Sequence, residues 1–197
     1  MRRYVLTGAP GAGKTTLADA LRRRGWSVVA EAATDVIATE QARGVAEPWG
    51  GPGFVDAVAR LQRERREASG APGVVQVHDR SPLCTLALAR YLGRPPGRAL
   101  VGEIEQVLRE GAYQRQVFLV QPLGFVTATD ARRISYAESL AFARVHEEIY
   151  RRHGHHLIVV PPAPVRTRVT LVEAHLRRLA DLPPDGAEGV PDPAYFT

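Results

Sequence analysis

A glycine-rich segment near the amino terminus, GAPGAGKT at residues 8–15, constrains this chain more than any other feature. It matches the spacing G-x-x-x-x-G-K-[ST] in full, follows an apolar run typical of a strand, and precedes a pattern typical of a helix. Glycines at this spacing let the backbone turn its N–H groups toward one point, and the helix start adds positive potential there. The segment therefore predicts a phosphate-binding loop between a first strand and a first helix.

Within this loop, several side chains have an expected partner on a nucleoside triphosphate. We expect Lys14 to reach the β- and γ-phosphates and the Thr15 hydroxyl to bind Mg²⁺. Lys14 is the only lysine of the chain, beside 25 arginines, which indicates that this position needs a slender ammonium group. The predicted nucleotide-binding residues are Ala9, Pro10, Gly11, Ala12, Gly13, Lys14, Thr15 and Thr16.

Strand and helix patterns alternate along the rest of the chain. Such alternation is typical of an α/β fold in which helices cover both faces of a parallel sheet, and ligands of such sheets bind at the carboxyl ends of the strands. Five short apolar runs predict strands at residues 3–7, 26–30, 74–78, 117–121 and 157–160.

The predicted elements form one domain. We assign it residues 1–180, with acceptor-binding helices at about 33–70 and a lid at about 122–135. Residues 181–197 are rich in proline and are predicted to form a tail.

Composition narrows the class of protein. Hydrophobic residues make up 45% and charged residues 24%, as in globular proteins, and we find no apolar run long enough to cross a bilayer. The single cysteine, Cys84, excludes an internal disulfide and is expected in the core, and the amino terminus lacks a signal-peptide pattern, so we expect a cytoplasmic protein. The net charge of +5 comes from arginines scattered through helical patterns, which indicates solvated helix faces rather than a nucleic-acid surface.

The residues after the third strand favour one class of phosphate chemistry. GTPases read guanine with an N/T-K-x-D element, which needs a second lysine that this chain lacks, so ATP is preferred over GTP. ATPase motors usually place a glutamate after the aspartate that ends the magnesium strand. Here Arg80 follows Asp79, and an arginine suits contact with a phosphoryl group better than activation of water. The pattern favours phosphoryl transfer from ATP to a bound acceptor.

Charged residues at the strand ends are the candidate catalytic groups. Glu31 could accept a proton from an acceptor hydroxyl, or it could merely stabilise the start of the next helix. Asp79 is expected to help hold Mg²⁺ and Arg80 to stabilise the moving phosphoryl group, unless the two form a plain ion pair. Arg132 and Arg133 follow strand 4, where a lid arginine could close over the γ-phosphate.

The acceptor should bind between strands 2 and 3, where three further residues are candidates. Asp35 could bind substrate or be a surface charge, and Trp49 could stack on a ring or pack its loop. Gln62 could recognise a base, although its helix position is more typical of a surface glutamine. Together with Glu31 and Arg80 these are the predicted substrate contacts. The expected partners are a nucleotide and a small-molecule acceptor, with a homodimer left open.

The loop, Glu31 and the segment DRSP at residues 79–82 resemble P-loop nucleoside and nucleotide kinases. More specifically, roughly residues 3–175 resemble the single-domain AAA-type ATPase family related to the ribosylnicotinamide-kinase domain of bacterial NAD regulators. The resemblance implies a three-layer P-loop NTPase fold with a five-stranded parallel sheet in the order 2-3-1-4-5, and it implies ATP with Mg²⁺ as ligands.

The resemblance also implies roles for particular residues. In the related deoxynucleoside kinases a glutamate after strand 2 is the base, which matches Glu31. The family's Asp-Arg pair maps onto Asp79 and Arg80, and its lid arginines map onto Arg132 and Arg133. The implied reaction is transfer of the γ-phosphoryl group to a hydroxyl of a nucleoside-like acceptor. Some members act as nucleotide-dependent binding modules, so a regulatory ATPase with little transfer is the alternative.

Overall fold

The computed structural model describes residues 1–68, 70, 75–124 and 135–181. Strands and helices alternate through these residues as the sequence predicts, and most boundaries fall within one or two residues of the expected ones. The strands are β1 (Arg2–Thr7), β2 (Ser27–Val29), β3 (Val75–Asp79), β4 (Gln116–Val120) and β5 (His156–Val160). The helices are α1 (Lys14–Arg23), α2 (Ala32–Ala42), α3 (Phe54–Ala68), α4 (Pro82–Tyr91), α5 (Arg98–Arg109), α6 (Tyr136–Arg152) and α7 (Val165–Asp181), with a 3₁₀ turn at Pro48–Gly50.

The strands form one sheet in the order β2-β3-β1-β4-β5, and every neighbouring pair is parallel. This confirms the predicted fold and strand order. Leu6 of β1 lies opposite Asp79 of β3, so the carboxyl end of β3 reaches the beginning of the glycine-rich loop. β2 is shorter than predicted because it is an edge strand that pairs only with β3, through Ser27–Val29.

Helices cover both faces of the sheet, and the alternation of side chains along β1 divides the core in two. Tyr4 and Leu6 face the layer of α1 and α7, where they pack with Leu17. Val5 points the other way, into a cluster built by α2 to α6 that contains Ile104 and Tyr150. Among the helices that the structure describes, none combines the length and apolar character needed to cross a membrane.

Three histidines lie in or against this core and are held in the neutral form. Burial lowers the pKa of His78 to about 3, with further repulsion from Arg3 and Arg66. Burial also lowers the pKa of His155 to about 4. The pKa of His146, which is completely buried, lies well below its usual value for the same reason.

These histidines predict a loss of stability in mild acid. Because their pKa values are depressed in the folded state, the unfolded chain binds more protons below pH ~6.5, so their contribution is complete above that pH and is lost as the pH falls. Each neutral histidine should add up to about 1.4 kcal/mol per pH unit to the slope of the unfolding free energy. We expect His146→Gln to reduce that slope between pH 6 and 5 in urea titrations. An unchanged slope would contradict the assignment.

Candidate active site

The glycine-rich loop between β1 and α1 adopts, at several positions, a backbone conformation that strongly favours glycine. Gly8, Gly11 and Gly13 have φ angles of +131°, +79° and +80°. A Cβ atom on Gly8 would also lie 2.4 Å from the carbonyl oxygen of Val120. Gly13 precedes α1 and supplies no side-chain cap, so the first amide groups of the helix stay available for another acceptor. The loop is built as a receptor for an anion.

Lys14 is folded back onto this loop. Its Nζ atom donates a hydrogen bond to the carbonyl oxygen of Ala9 at 2.7 Å, and only 5% of the residue is exposed. Burial, together with repulsion from Arg80, lowers the pKa of Lys14 to about 7. A polyphosphate beside the ammonium would supply the negative charge that favours its protonated form.

Thr15 and Asp79 form a pair of oxygen donors beside the loop. The Thr15 hydroxyl donates to Oδ2 of Asp79 at 3.4 Å. Among the described residues, Oδ1 of Asp79 is buried and has no hydrogen-bond partner, and burial raises the pKa of this carboxyl with help from the charge of Glu31. A carboxylate oxygen without a partner next to a hydroxyl is a donor set that suits Mg²⁺, so these residues fit the expected metal.

Arg80 and Glu31 meet above the loop, although they follow different strands. Arg80 has a φ angle of +79°, a rare conformation for a residue with a side chain, and its amide donates to the carbonyl oxygen of Leu6. Its guanidinium pairs with the Glu31 carboxylate through Nε and donates to the carbonyl oxygen of Gly8 at 3.3 Å. The ion pair that Arg80 forms is therefore with Glu31 and not with Asp79.

The Glu31 carboxylate is ionised in this arrangement. Burial alone would raise the pKa of Glu31, but the charges of Arg80 and Lys14 and hydrogen bonds from Arg80 and Thr34 outweigh it and hold the pKa below its usual value. Thr34 donates to Oε2 at 3.2 Å, and Arg65 holds the backbone in place by donating to the carbonyl oxygen of Glu31 at 2.6 Å. Glu31 is therefore held at its carboxylate by Arg80 and Thr34 and at its main-chain carbonyl by Arg65.

A cavity of about 320 Å³ opens beside Glu31 and Arg80 and is also lined by Trp49, whose contact with an acceptor stays a prediction. The expectation that Gln62 is a surface residue is wrong. It is buried, and its Oε1 accepts a hydrogen bond at 2.9 Å from Thr85, which does line the cavity. No neighbouring residue in the sequence indicates that Gln62 is buried. In the folded protein its side chain is hydrogen-bonded to Thr85 on another helix.

The remaining candidates are a surface charge, a buried cysteine and residues outside the described part of the chain. Asp35 is exposed and pairs with Arg65, as expected for a surface charge. Cys84 is buried, as predicted. Arg132 and Arg133, most of the predicted lid and the predicted tail lie outside the described residues.

A network of buried polar side chains supports the start of the loop from beneath. The Thr7 hydroxyl, one residue before the loop, lies 3.0 Å from Nδ1 of His146 and 3.3 Å from Sγ of Cys84. The hydroxyl of Tyr150 lies 3.1 Å from that sulfur and 2.6 Å from the Ser81 hydroxyl. The network ties β1, α4 and α6 together where the strand turns into the loop.

Sequence reasoning missed Arg168, whose guanidinium is surrounded by backbone carbonyl groups. It donates to Ala12 at 2.6 Å, to Gln121 at 2.5 Å and to Pro161 at 3.0 Å. The side chain therefore fastens the glycine-rich loop to the ends of β4 and β5. No local signal marks it, because its partners are spread over three distant segments.

Arg168→Met is expected to destabilise the protein and to loosen the loop. Removing the guanidinium leaves buried carbonyl groups without donors, which should cost about 3 kcal/mol or more in the free energy of unfolding. Because Ala12 belongs to the loop, we also expect nucleotide affinity to fall about tenfold. Urea unfolding and calorimetry measure both effects. Arg178→Met, on the exposed side of the same helix, is the control, and equal behaviour of the two variants would contradict the assignment.

Solved structures that resemble this chain share its fold at low sequence identity. Deoxyadenosine kinase from M. mycoides with bound dATP is 16% identical with a TM-score of 0.58, over 90% of this chain and 100% of that one. The same enzyme with dCMP and dCDP gives 15% and 0.56, over 89% and 99%. The NadR protein in complex with NR is 16% identical with a TM-score of 0.59, over 95% of this chain and 54% of that one. The fold is thus that of the P-loop kinases.

The family follows from the sequence itself. A family model described as an AAA domain matches residues 3–168, and the chain belongs to that family. This confirms the resemblance inferred from the loop and the strand ends. A search of curated proteins found no significant match.

Proposed function

We propose that this protein is an ATP-dependent phosphotransferase that moves the γ-phosphoryl group to a hydroxyl of a small molecule. The resemblance to kinases favours a nucleoside-like acceptor. The observation that carries the proposal is the meeting of Glu31 and Arg80 between the phosphate-binding loop and the cavity. An ionised carboxylate and a guanidinium at the boundary of two ligand sites are the groups that phosphoryl transfer to a hydroxyl requires.

In the proposed reaction the acceptor oxygen forms a bond to the γ-phosphorus while the bond from that phosphorus to the β–γ bridging oxygen breaks. ADP leaves, the phosphate ester is the second product, and the hydroxyl proton passes to Glu31. Lys14 and the loop amides hold the phosphates, and Arg80 balances the charge on the moving group. Arg132 and Arg133 are proposed to close over the γ-phosphate.

Mg²⁺ fits the donors that the structure provides. Thr15 and Asp79 would hold it, and the bound ion would neutralise phosphate charge. The role of these two residues is to offer a hydroxyl and a carboxylate on the side of the loop that faces the phosphates.

The ion pair with Arg80 affects how well Glu31 can act as a base. A carboxylate whose pKa is held low accepts protons weakly. A phosphoryl group beside Arg80 would offset the guanidinium charge and let the pKa of Glu31 rise toward its usual value. The base would then be strengthened when the donor nucleotide is bound, which couples the two ligand sites.

The same ion pair favours one second candidate, a nucleotide-dependent binding protein with little transfer. Both oxygens of Glu31 have partners, Arg80 and Thr34, so the carboxylate could serve mainly to hold the site together. Such a protein would bind nucleotide but would not form a phosphate ester.

A screen of small hydroxylated compounds for release of ADP separates the two functions. For the phosphotransferase, one class of compound should raise ADP release well above the rate with water alone. If every compound leaves the rate at that background while nucleotide still binds, the binding protein is the correct assignment.

A further inference from the structure

The residues that line the cavity change from charged to apolar along helix α4. Arg80 lies at its charged end, Cys84 and Thr85 follow one helical turn into the helix, and Leu88 and Leu92 lie at successive turns beyond. These positions share one face of the helix. At a rise of about 1.5 Å per residue, roughly 12 Å separates the levels of Cys84 and Leu92, so the far part of the cavity is well removed from the phosphate-binding loop.

Next to the charged end, two polar side chains of α4 that line the cavity, Cys84 and Thr85, are already engaged within the protein. Thr85 donates its hydroxyl proton to Gln62 at 2.9 Å. Sγ of Cys84 lies between the hydroxyls of Thr7 and Tyr150, at 3.3 and 3.1 Å. The glutamine that the sequence offers for recognition of a base therefore lies behind Thr85 and not at the cavity surface.

Among the residues that the structure describes, the far part of the cavity is lined by aliphatic and aromatic side chains, of which Tyr91 carries a hydroxyl and Trp49 an indole N–H. The rings of Tyr91 and Phe142 stack with centroids 4.4 Å apart and planes inclined by 15°. Trp49 and Phe54 line the same cavity. Glu47 also lines the cavity, but it is exposed to solvent at the rim.

A cavity lined in this way favours a particular kind of acceptor molecule. The ring nitrogens, amino groups and carbonyl groups of a nucleobase lose their bonds to water on burial and need protein partners in return. Aromatic and aliphatic side chains make dispersion contacts instead. These contacts favour the binding of a ring that carries no such polar groups. The volume of about 320 Å³ is sufficient for a one- or two-ring molecule.

We propose that the acceptor carries its hydroxyl on a short arm attached to an aromatic or alicyclic ring that lacks the polar edges of a nucleobase. This inference rests on the proposed function and narrows its substrate class. The hydroxyl arm lies toward Glu31 and Arg80, and the ring lies against Trp49, Tyr91 and Phe142. The acceptor site thus departs from the nucleoside that the family resemblance implies.

The test compares 2-(2-naphthyl)ethanol with adenosine and cytidine, for binding and for phosphorylation, in the presence of Mg²⁺ and ATP. Binding is measured by saturation-transfer NMR, with a non-hydrolysable ATP analogue in place of ATP. We expect the naphthyl alcohol to bind at least tenfold more tightly than either nucleoside and to be phosphorylated with a higher kcat/KM. Tighter binding or more efficient phosphorylation of a nucleoside would overturn the inference and leave the phosphotransferase function in place.

Two matched variants locate the binding. Leu88 and Leu86 are both half-buried leucines of α4, but Leu88 lines the cavity. Leu88→Gln should weaken the naphthyl alcohol at least tenfold and leave affinity for the ATP analogue unchanged, while Leu86→Gln should change both less than twofold. Leu88→Ala, expected to weaken binding about fivefold, replaces Leu88→Gln if that variant does not fold.

The outcomes separate the two proposals. Failure of the naphthyl alcohol to bind, or equal effects at Leu86 and Leu88, would overturn the assigned ligand class. Binding in the predicted order without phosphorylation of any compound would support the ligand class and would contradict the phosphotransferase function instead.

Discussion

Lys14→Met is expected to abolish nucleotide-dependent activity while making the nucleotide-free protein more stable. In the proposed reaction the buried ammonium binds the phosphates, so its loss should reduce kcat/KM about 10³-fold. Burial lowers the pKa of Lys14 to about 7, which means that the folded protein tolerates the charge poorly. Because an uncharged side chain of similar length removes this penalty, the free energy of unfolding at pH 7 should rise.

Lower activity together with higher stability is expected when a residue that binds ligand is replaced. Replacement of a structural residue would lower the stability as well. Steady-state kinetics measures the first effect, with calorimetry of Mg²⁺ and ATP for the nucleotide affinity, and urea unfolding without nucleotide measures the second. Lys14→Arg tests the preference for an ammonium group: the bulkier, planar guanidinium should not fit the buried site beside Ala9 and should lose activity as well. Normal nucleotide affinity in Lys14→Met would contradict the assigned role.

Glu31→Gln is expected to keep nucleotide binding and to lose phosphoryl transfer. Glutamine preserves the size of the side chain. Its carbonyl oxygen can still accept the hydrogen bond from Arg80 and its NH₂ group can donate to the Thr34 hydroxyl, but it cannot take a proton from the acceptor. We expect kcat to fall about 10²- to 10⁴-fold and the Kd for ATP to change by less than about threefold. Single-turnover kinetics and calorimetry measure the two quantities.

Thr34→Val provides the matched control for Glu31. It removes one hydrogen bond to the same carboxylate without removing the base, so the effect on kcat should stay below about tenfold. A value of kcat in Glu31→Gln close to that of the unsubstituted protein would favour the nucleotide-dependent binding protein.

Local sequence signals were sufficient for the framework of the site. The loop motif depends on residues 8–15 alone, and Asp79 and Glu31 were found because each follows a strand that could be recognised from a short apolar run. In a parallel sheet the carboxyl ends of the strands lie along the same edge, which places these residues near each other. The strand order 2-3-1-4-5 came from the family resemblance, and the structure confirms it.

Features that depend on distant partners could not be predicted in this way. Arg168 is one of 25 arginines, and only the folded chain brings it to the carbonyl group of Ala12, 156 residues earlier. Gln62 lies on a helix with a charged face, and its burial depends on the hydroxyl of Thr85 on the next helix. The ion pair between Arg80 and Glu31 likewise joins residues 49 positions apart, and no local pattern in the sequence indicates either the pair or the left-handed backbone at Arg80.

In the proposed reaction the γ-phosphoryl group passes to a bound hydroxyl with Glu31 as the base. ³¹P NMR of a reaction containing Mg²⁺, ATP and an acceptor tests it directly, because a phosphate ester and inorganic phosphate give separate signals. We predict that the ester signal grows as fast as the ADP signals and is lost in Glu31→Gln. Appearance of inorganic phosphate alone, at the same rate in the protein and in Glu31→Gln, would contradict the claim.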